Sequence, residues 1–311
     1  MKNTLCAVVL ALTAGCSAMP VEKKIEAKPR RLKMHTLDWD NFAIHVLFHQ
    51  KYPPISKKQK EKDKKLLLRI LEYQVEKDKT KFLEKETAFL PLFGLLGRIT
   101  QSSPEIEFDI TSNQGWDYPI LRLGNWEGIY DAPRIIVKPK GISLGTFTHE
   151  FCHATDRHYS KTQYLFSKAH RCRMEAVAMA GEEHVSDYIS CVYEMHELAE
   201  YVWQRASMDA IELRSLKRKH KTFEEVYENA HECDTARIMI HILADKFKGD
   251  LEKTYFFLRN TDCKKVYQAI YAHLKTINYG LAVQNAITIQ TTRLLWRQDN
   301  SRKNSSSVKK K

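Results

Sequence analysis

The sequence predicts an α+β fold that is mostly helical, with a small sheet on the N-terminal side of a long helical region. Residues 104–139 hold short extended runs separated by Gly and Pro, which favours strands. From residue 143 to about 297 the pattern is helical, and only four glycines interrupt it. The composition, 43% apolar and 28% charged, is that of a globular protein and excludes disordered and collagen-like chains.

The first 15 residues have the organisation of a signal sequence. Lys2 supplies a positive charge, and residues 5–14 form an apolar run that is too short to span a bilayer. The run leads into LTAGC, ending at Cys16, which resembles the lipobox of bacterial lipoproteins. This resemblance implies cleavage after residue 15, lipidation of Cys16, and a lipid-anchored protein of the cell envelope, on the periplasmic face of the outer membrane.

The rest of the chain divides by composition. Residues 57–65 contain six lysines and precede an apolar run, which predicts one helix with a solvated start and a buried continuation. The lysines are either a solvated face or a surface for an anionic lipid or polymer. The predicted regions are a basic tether (16–35), a helical N-terminal region (36–103), a sheet-and-helix region (104–298, with its sheet over 104–139) and a disordered basic tail (299–311).

The first helix after the sheet, predicted over about 143–159, contains the motif HEFCH. His149 and His153 are four residues apart and therefore share one helix face, so both imidazoles can bind a single Zn²⁺. Glu150 is placed to act as general base on a water at that metal. Cys152 points away from this face and is expected to pack as a small apolar side chain.

A zinc site of this type needs a third protein ligand. The segment EHVSD offers Glu183 as that ligand, and Asp187 to orient a ligating histidine from outside the metal shell. Gly181 is expected to break the helix just before it. Glu175, in EAVA, is the alternative third ligand, and a later segment offers three more candidates, His196, Glu197 and Glu200. Asp156 either bonds a ligand histidine or caps local backbone.

HExxH followed by ExxxD resembles the gluzincin metallopeptidases, in particular the ExxSD and ExxAD segments of the thermolysin and neprilysin families. The phrase HEFCHATD is also similar to the HEFxHAxD of anthrax-lethal-factor-like peptidases. The resemblance implies a zincin-type catalytic region with Zn²⁺ as cofactor. It implies His149, His153 and Glu183 as zinc ligands, Glu150 as general base, and Asp187 as support for a histidine.

The expected function is that of a membrane-anchored zinc metallopeptidase that hydrolyses peptide bonds of a peptide or protein substrate in the bacterial envelope. Cell-wall peptide is a further possible substrate. The substrate is expected to pair along the strand 134–137. The alternative is a non-catalytic zinc-containing lipoprotein that uses its net charge of +12 to bind an anionic polymer or a partner protein. A fourth protein ligand, such as Cys172 or His184, would favour that alternative. No nucleic-acid partner is expected of an exported protein.

The number of cysteines limits how many disulfide bonds the protein can form. With Cys6 removed and Cys16 lipidated, five cysteines remain, so an oxidising compartment allows at most two bridges and one free thiol. The pairing cannot be deduced from the sequence among Cys152, Cys172, Cys191, Cys233 and Cys263.

Overall fold

The computed structural model describes residues 52, 54–75, 89–111, 127–206 and 210–308. They are mostly helical with one three-stranded sheet, which confirms the predicted fold class. The predicted signal sequence, Cys16 and the predicted tether lie outside the described residues. Across the part of the chain that is described, no helix is both long and apolar enough to cross a membrane.

The chain order is two helices, a sheet and then a run of helices. Helices α1 (Lys57–Val75) and α2 (Leu90–Thr100) precede strands β1 (Glu107–Ile110), β2 (Gly128–Asp131) and β3 (Arg134–Val137). A 3₁₀ turn, Pro139–Gly141, then leads into the helices. These are α3 (Leu144–Thr155), α4 (Lys161–Phe166), α5 (Lys168–Tyr193), α6 (His196–Ala206), α7 (Ala210–Lys219), α8 (Phe223–Asn229), α9 (Glu232–Lys246), α10 (Leu251–Asn260), α11 (Cys263–Thr276) and α12 (Tyr279–Val308).

Several boundaries differ from the sequence prediction. Helix α3 ends at Thr155, four residues before the predicted end. Helix α12 continues to Val308, so residues 299–308, predicted as disordered, are helical. No Gly or Pro follows Gly280, so nothing in the sequence breaks this helix. In α1 the lysine-rich start is solvated while Leu67 and Ile70 are fully buried, as predicted.

The sheet has strand order β1-β3-β2, with β1 parallel and β2 antiparallel to the central strand. Ile135, Ile136 and Val137 of β3 are fully buried. The expectation that a peptide pairs along residues 134–137 is wrong, because β3 already pairs with a strand on each side. Among the described residues β2 is an edge strand, and it packs against α3.

Helix α5 is the centre of the fold and belongs to two hydrophobic cores. Its first half, residues 176–180, packs with helices α7 to α12. In its second half Val185 and Ile189 pack with α1, α2, α6, the sheet and one face of α3. The helix runs without a break through Gly181, so the predicted interruption there is wrong.

Gly181 instead lets α3 and α5 approach closely. A Cβ atom at position 181 would lie 2.9 Å from the Cβ of Cys152 and closer still to its sulfur. Cys152 is fully buried in the first core, as predicted for a packing residue. No disulfide links the cysteines of the described residues, where all five are free thiols.

We expect Gly181→Ala to destabilise the protein by about 1–3 kcal/mol, because the added methyl group overpacks the contact with Cys152. Gly94→Ala is the matched control, since a Cβ at Gly94 in α2 meets nothing within 4 Å. Alanine there should stabilise the helix by about 0.5–1 kcal/mol. Urea unfolding of both variants measures the difference. Equal free energies of unfolding would contradict the close approach.

Candidate metal centre

Helix α3 presents the two motif histidines on one face. The helix begins after Ser143, whose side-chain oxygen accepts a hydrogen bond from the backbone N–H of Thr146 at 3.0 Å and so caps the first turn. One turn of helix then separates His149 from His153, and their ring centroids lie 4.8 Å apart. Both side chains are more than nine-tenths buried.

Glu175 of α5 completes a group of three ligands with these histidines. Its Oε2 lies 3.5 Å from Nε2 of His149, and its Oε1 lies 3.8 Å from Nε2 of His153. The three ligand atoms all lie within 4.8 Å of one another, and no other such His, Cys, Asp or Glu group occurs among the described residues. Ligands about 2.0–2.1 Å from a tetrahedral Zn²⁺ are about 3.3 Å apart, so small side-chain movements suffice to bind the ion.

Two further side chains position these ligands. Oε1 of the fully buried Glu182 hydrogen-bonds Nδ1 of His149, which leaves Nε2 of that ring facing Glu175. The hydroxyl of Tyr164 donates to Oε1 of Glu175 at 3.1 Å. A carboxylate behind a ligating histidine fixes the ring and raises its basicity, as is common at metal sites.

The charges of the histidines and carboxylates at this site shift one another's pKa values. Burial acts to lower the pKa of His149, but the charge of Glu182 and the hydrogen bonds to Glu175 and Glu182 outweigh it and raise that pKa to about 10. Burial acts to raise the pKa of Glu175, yet its hydrogen bond to His149 and the charge of His153 lower it to about 2. The site therefore favours a positive charge between its carboxylates.

Glu183 and Asp187 do not lie at this centre. Nη1 of Arg293, from α12, donates to Glu183 at 2.9 Å, and Nη2 donates to Asp187 at 2.5 Å. Helix geometry explains the difference, because Glu183 lies about 80° around α5 from Glu175 whereas Glu182 lies only about 20° away. The structure therefore brings Glu175, the alternative third-ligand candidate, together with the two histidines, and it is Glu182 rather than Asp187 that hydrogen-bonds a motif histidine.

The other candidate residues are occupied elsewhere. Asp156 forms a buried ion pair with Arg173, with a hydrogen bond of 2.7 Å between Nη2 and Oδ1. His184 bonds the carbonyl of Ile99 at 3.2 Å. The remaining candidates, none of which joins the three-ligand group, are Cys172 in the first core and His196, Glu197 and Glu200 on α6.

Glu150, the general-base candidate of α3, lies close to Gly128 at the edge of the sheet. It is buried, and its charge contributes to the raised pKa of His149. Gly128 of β2 lies directly against it: a Cβ at this position would be 3.4 Å from Oε1 of Glu150 and 2.7 Å from Cγ2 of Thr146. The absence of a side chain at Gly128 thus lets the edge strand approach the general-base candidate.

Sequence reasoning missed Glu182 and Tyr164. Glu182 follows Glu175 by seven residues, a spacing that returns to nearly the same helix face and could have identified it. Tyr164 lies on the separate short helix α4, and its spacing gives no comparable signal.

Comparison with known proteins gives no match: no protein-family model, curated protein or solved structure is significantly similar to the chain.

We expect Glu175→Gln to lose zinc after dialysis against a mild chelator, whereas wild type keeps about one ion per chain. Glu183→Gln should keep its zinc but lose about 1–3 kcal/mol of stability, because the hydrogen bonding of the buried Arg293 is weakened. Metal analysis and urea unfolding of both variants test this. The opposite result, in which folded Glu183→Gln loses its zinc and Glu175→Gln keeps it, would contradict Glu175 as the third candidate ligand.

We expect Glu182→Gln to bind zinc about 10–100-fold more weakly than wild type, because the neutral amide polarises the imidazole of His149 less than the carboxylate does. Competition with a chromophoric chelator at constant pH measures the dissociation constant. Glu197→Gln is the control, since Glu197 is exposed on α6. An unchanged affinity in Glu182→Gln would show that this contact does not support the metal ligand.

Proposed function

We propose that this chain is a zinc-dependent metallopeptidase, with His149, His153 and Glu175 as zinc ligands and Glu150 as general base. The observation that supports it most is the number of ligands in the cluster. Structural zinc sites are closed by four protein ligands, whereas catalytic sites use three and keep one position open. The described residues supply three, and neither Cys172 nor His184 is a fourth, so this count does not favour the non-catalytic alternative.

The chain's own residues have distinct roles in the proposed reaction. Bound Zn²⁺ would polarise a substrate carbonyl and lower the pKa of a water towards ~7. Glu150 accepts the proton of the attacking water and donates it to the leaving amine when the peptide bond breaks. Glu182 holds His149 in the tautomer whose Nε2 can bind metal, and Tyr164 orients the carboxylate of Glu175.

The edge strand β2 supports an extended peptide as substrate. The backbone N–H of Lys138 donates to the carbonyl of Glu127, while the carbonyl of Val137 accepts from Thr111 on the β1 side. Backbone groups alternate in direction along a strand, so Gly128 and Tyr130 direct their N–H and C=O groups away from β3. A peptide added at this edge would pass Glu150, where Gly128 lies against α3.

The cellular setting of this proposal rests on the sequence. A lipid on Cys16 would hold the domain at the outer membrane, and its substrates would be peptides or proteins of the cell envelope.

We expect Glu150→Gln to lower peptide hydrolysis by at least about 10²–10⁴-fold while zinc remains bound, because the amide cannot take the proton of the water. Cleavage of a quenched fluorescent peptide library, with metal analysis of the same samples, measures both properties. Glu197→Gln is the matched control and should cleave at the wild-type rate. Wild-type cleavage by Glu150→Gln, or no cleavage by the zinc-loaded wild type, would refute the proposal.

A further inference from the structure

Among the described residues, the edge of β2 that faces away from β3 accepts a hydrogen bond from a side chain that lies beside the candidate metal ligands. The hydroxyl of Tyr159 donates a hydrogen bond to the backbone carbonyl of Tyr130 at 3.0 Å. This carbonyl is one of the β2 groups that point away from β3. The ring of Tyr159 makes an edge contact with the ring of Tyr130, with centroids 4.9 Å apart, and lies 6.5 Å from the ring of His153.

The segment after α3 is held to β2 at a second point. Nζ of Lys161 lies 2.5 Å from the carboxylate of Asp131, at the end of the strand. Residues 159 and 161 therefore attach the chain that leaves the metal-binding helix to consecutive residues of the edge. Of these two contacts, only the one from Tyr159 uses a main-chain acceptor, which an added strand would need.

We propose that Tyr159 is a removable cap on a substrate-binding acceptor: a backbone N–H of the bound peptide displaces its hydroxyl from the carbonyl of Tyr130. This inference rests on the proposed function, since it assigns a specificity role at the same site. The hydrogen bond between the Tyr159 hydroxyl and the Tyr130 carbonyl must break before a peptide can pair with that carbonyl. The cap therefore weakens the binding of every peptide that uses this edge.

The position of the cap sets a requirement on the substrate. Gly128 lies against Glu150, and Tyr130 follows two residues later, about 6.8 Å along the strand. The capped carbonyl therefore pairs with a substrate residue about two positions from the one that faces Glu150. That substrate residue must carry a backbone N–H, so proline or an N-methylated residue at this position is disfavoured.

The test measures peptide binding without hydrolysis. Zinc-loaded full-length Glu150→Gln is titrated with a fluorescein-labelled hexapeptide of alternating Thr and Val, a composition that favours extended structure. Adding Tyr159→Phe should tighten binding about fivefold, the scale of one net hydrogen bond, because the carbonyl no longer has to be uncapped. Adding Tyr201→Phe instead is the matched control, since it removes a phenol hydroxyl from an exposed side chain of α6, outside β2, and should leave the affinity unchanged.

N-methylation identifies the contact. Six peptides, each methylated at one backbone nitrogen, are compared on the parent and on Tyr159→Phe. We expect one methylated position to abolish the fivefold gain and the others to preserve it. Equal affinities of the parent and Tyr159→Phe, a gain that no methylation removes, or no peptide binding by either protein would overturn the inference. Because no hydrolysis is needed, these results are independent of whether wild type cleaves peptides.

Discussion

The structure depends on a buried helix that carries charges whose partners lie on other elements. Helix α5 places Arg173, Glu182 and Glu183 at full burial, with Glu175 and Asp187 nearly as enclosed. Removing an ion from water costs several kcal/mol unless an opposite charge and hydrogen bonds replace the solvent. Each of these side chains therefore constrains the element that supplies its partner.

These pairings connect the metal-binding helix, the end of the chain and α10. Arg173 binds Asp156 at the end of α3 and the carbonyl of Leu258 at 2.7 Å. Arg293 of α12 binds two acids on another side of α5. With both of these contacts made, the face of α5 that contains Glu175 and Glu182 is directed towards α3. The candidate metal centre is thus a consequence of how the other buried charges are neutralised.

The sequence was sufficient for the fold class, the strand 134–137 and the helix with HExxH, because these depend on local spacing. It did not decide which of the candidate third ligands lies beside the two histidines. Glu175 and Glu182 share one face of α5, while Glu183 and Asp187 share another, and both pairs are plausible by spacing alone. What decides between them is Arg293, more than 100 residues further along the chain, which neutralises the second pair. The edge strand β2 was also missed, since a four-residue strand containing Gly has little pattern.

The carboxylates around His149 favour a bound cation at the candidate metal centre, whether or not the centre catalyses a reaction. Glu182 and Glu175 lie on opposite sides of the imidazole of His149, and Glu150 adds a third negative charge nearby. Without a metal ion, the raised pKa of His149 places a proton between these carboxylates and limits their repulsion. A divalent ion bound to Nε2 would replace that proton and also neutralise Glu175, whose Oε2 lies 3.5 Å from Nε2 of His149. The same arrangement of charges thus stabilises the buried acids in the metal-free chain and favours the binding of a metal ion.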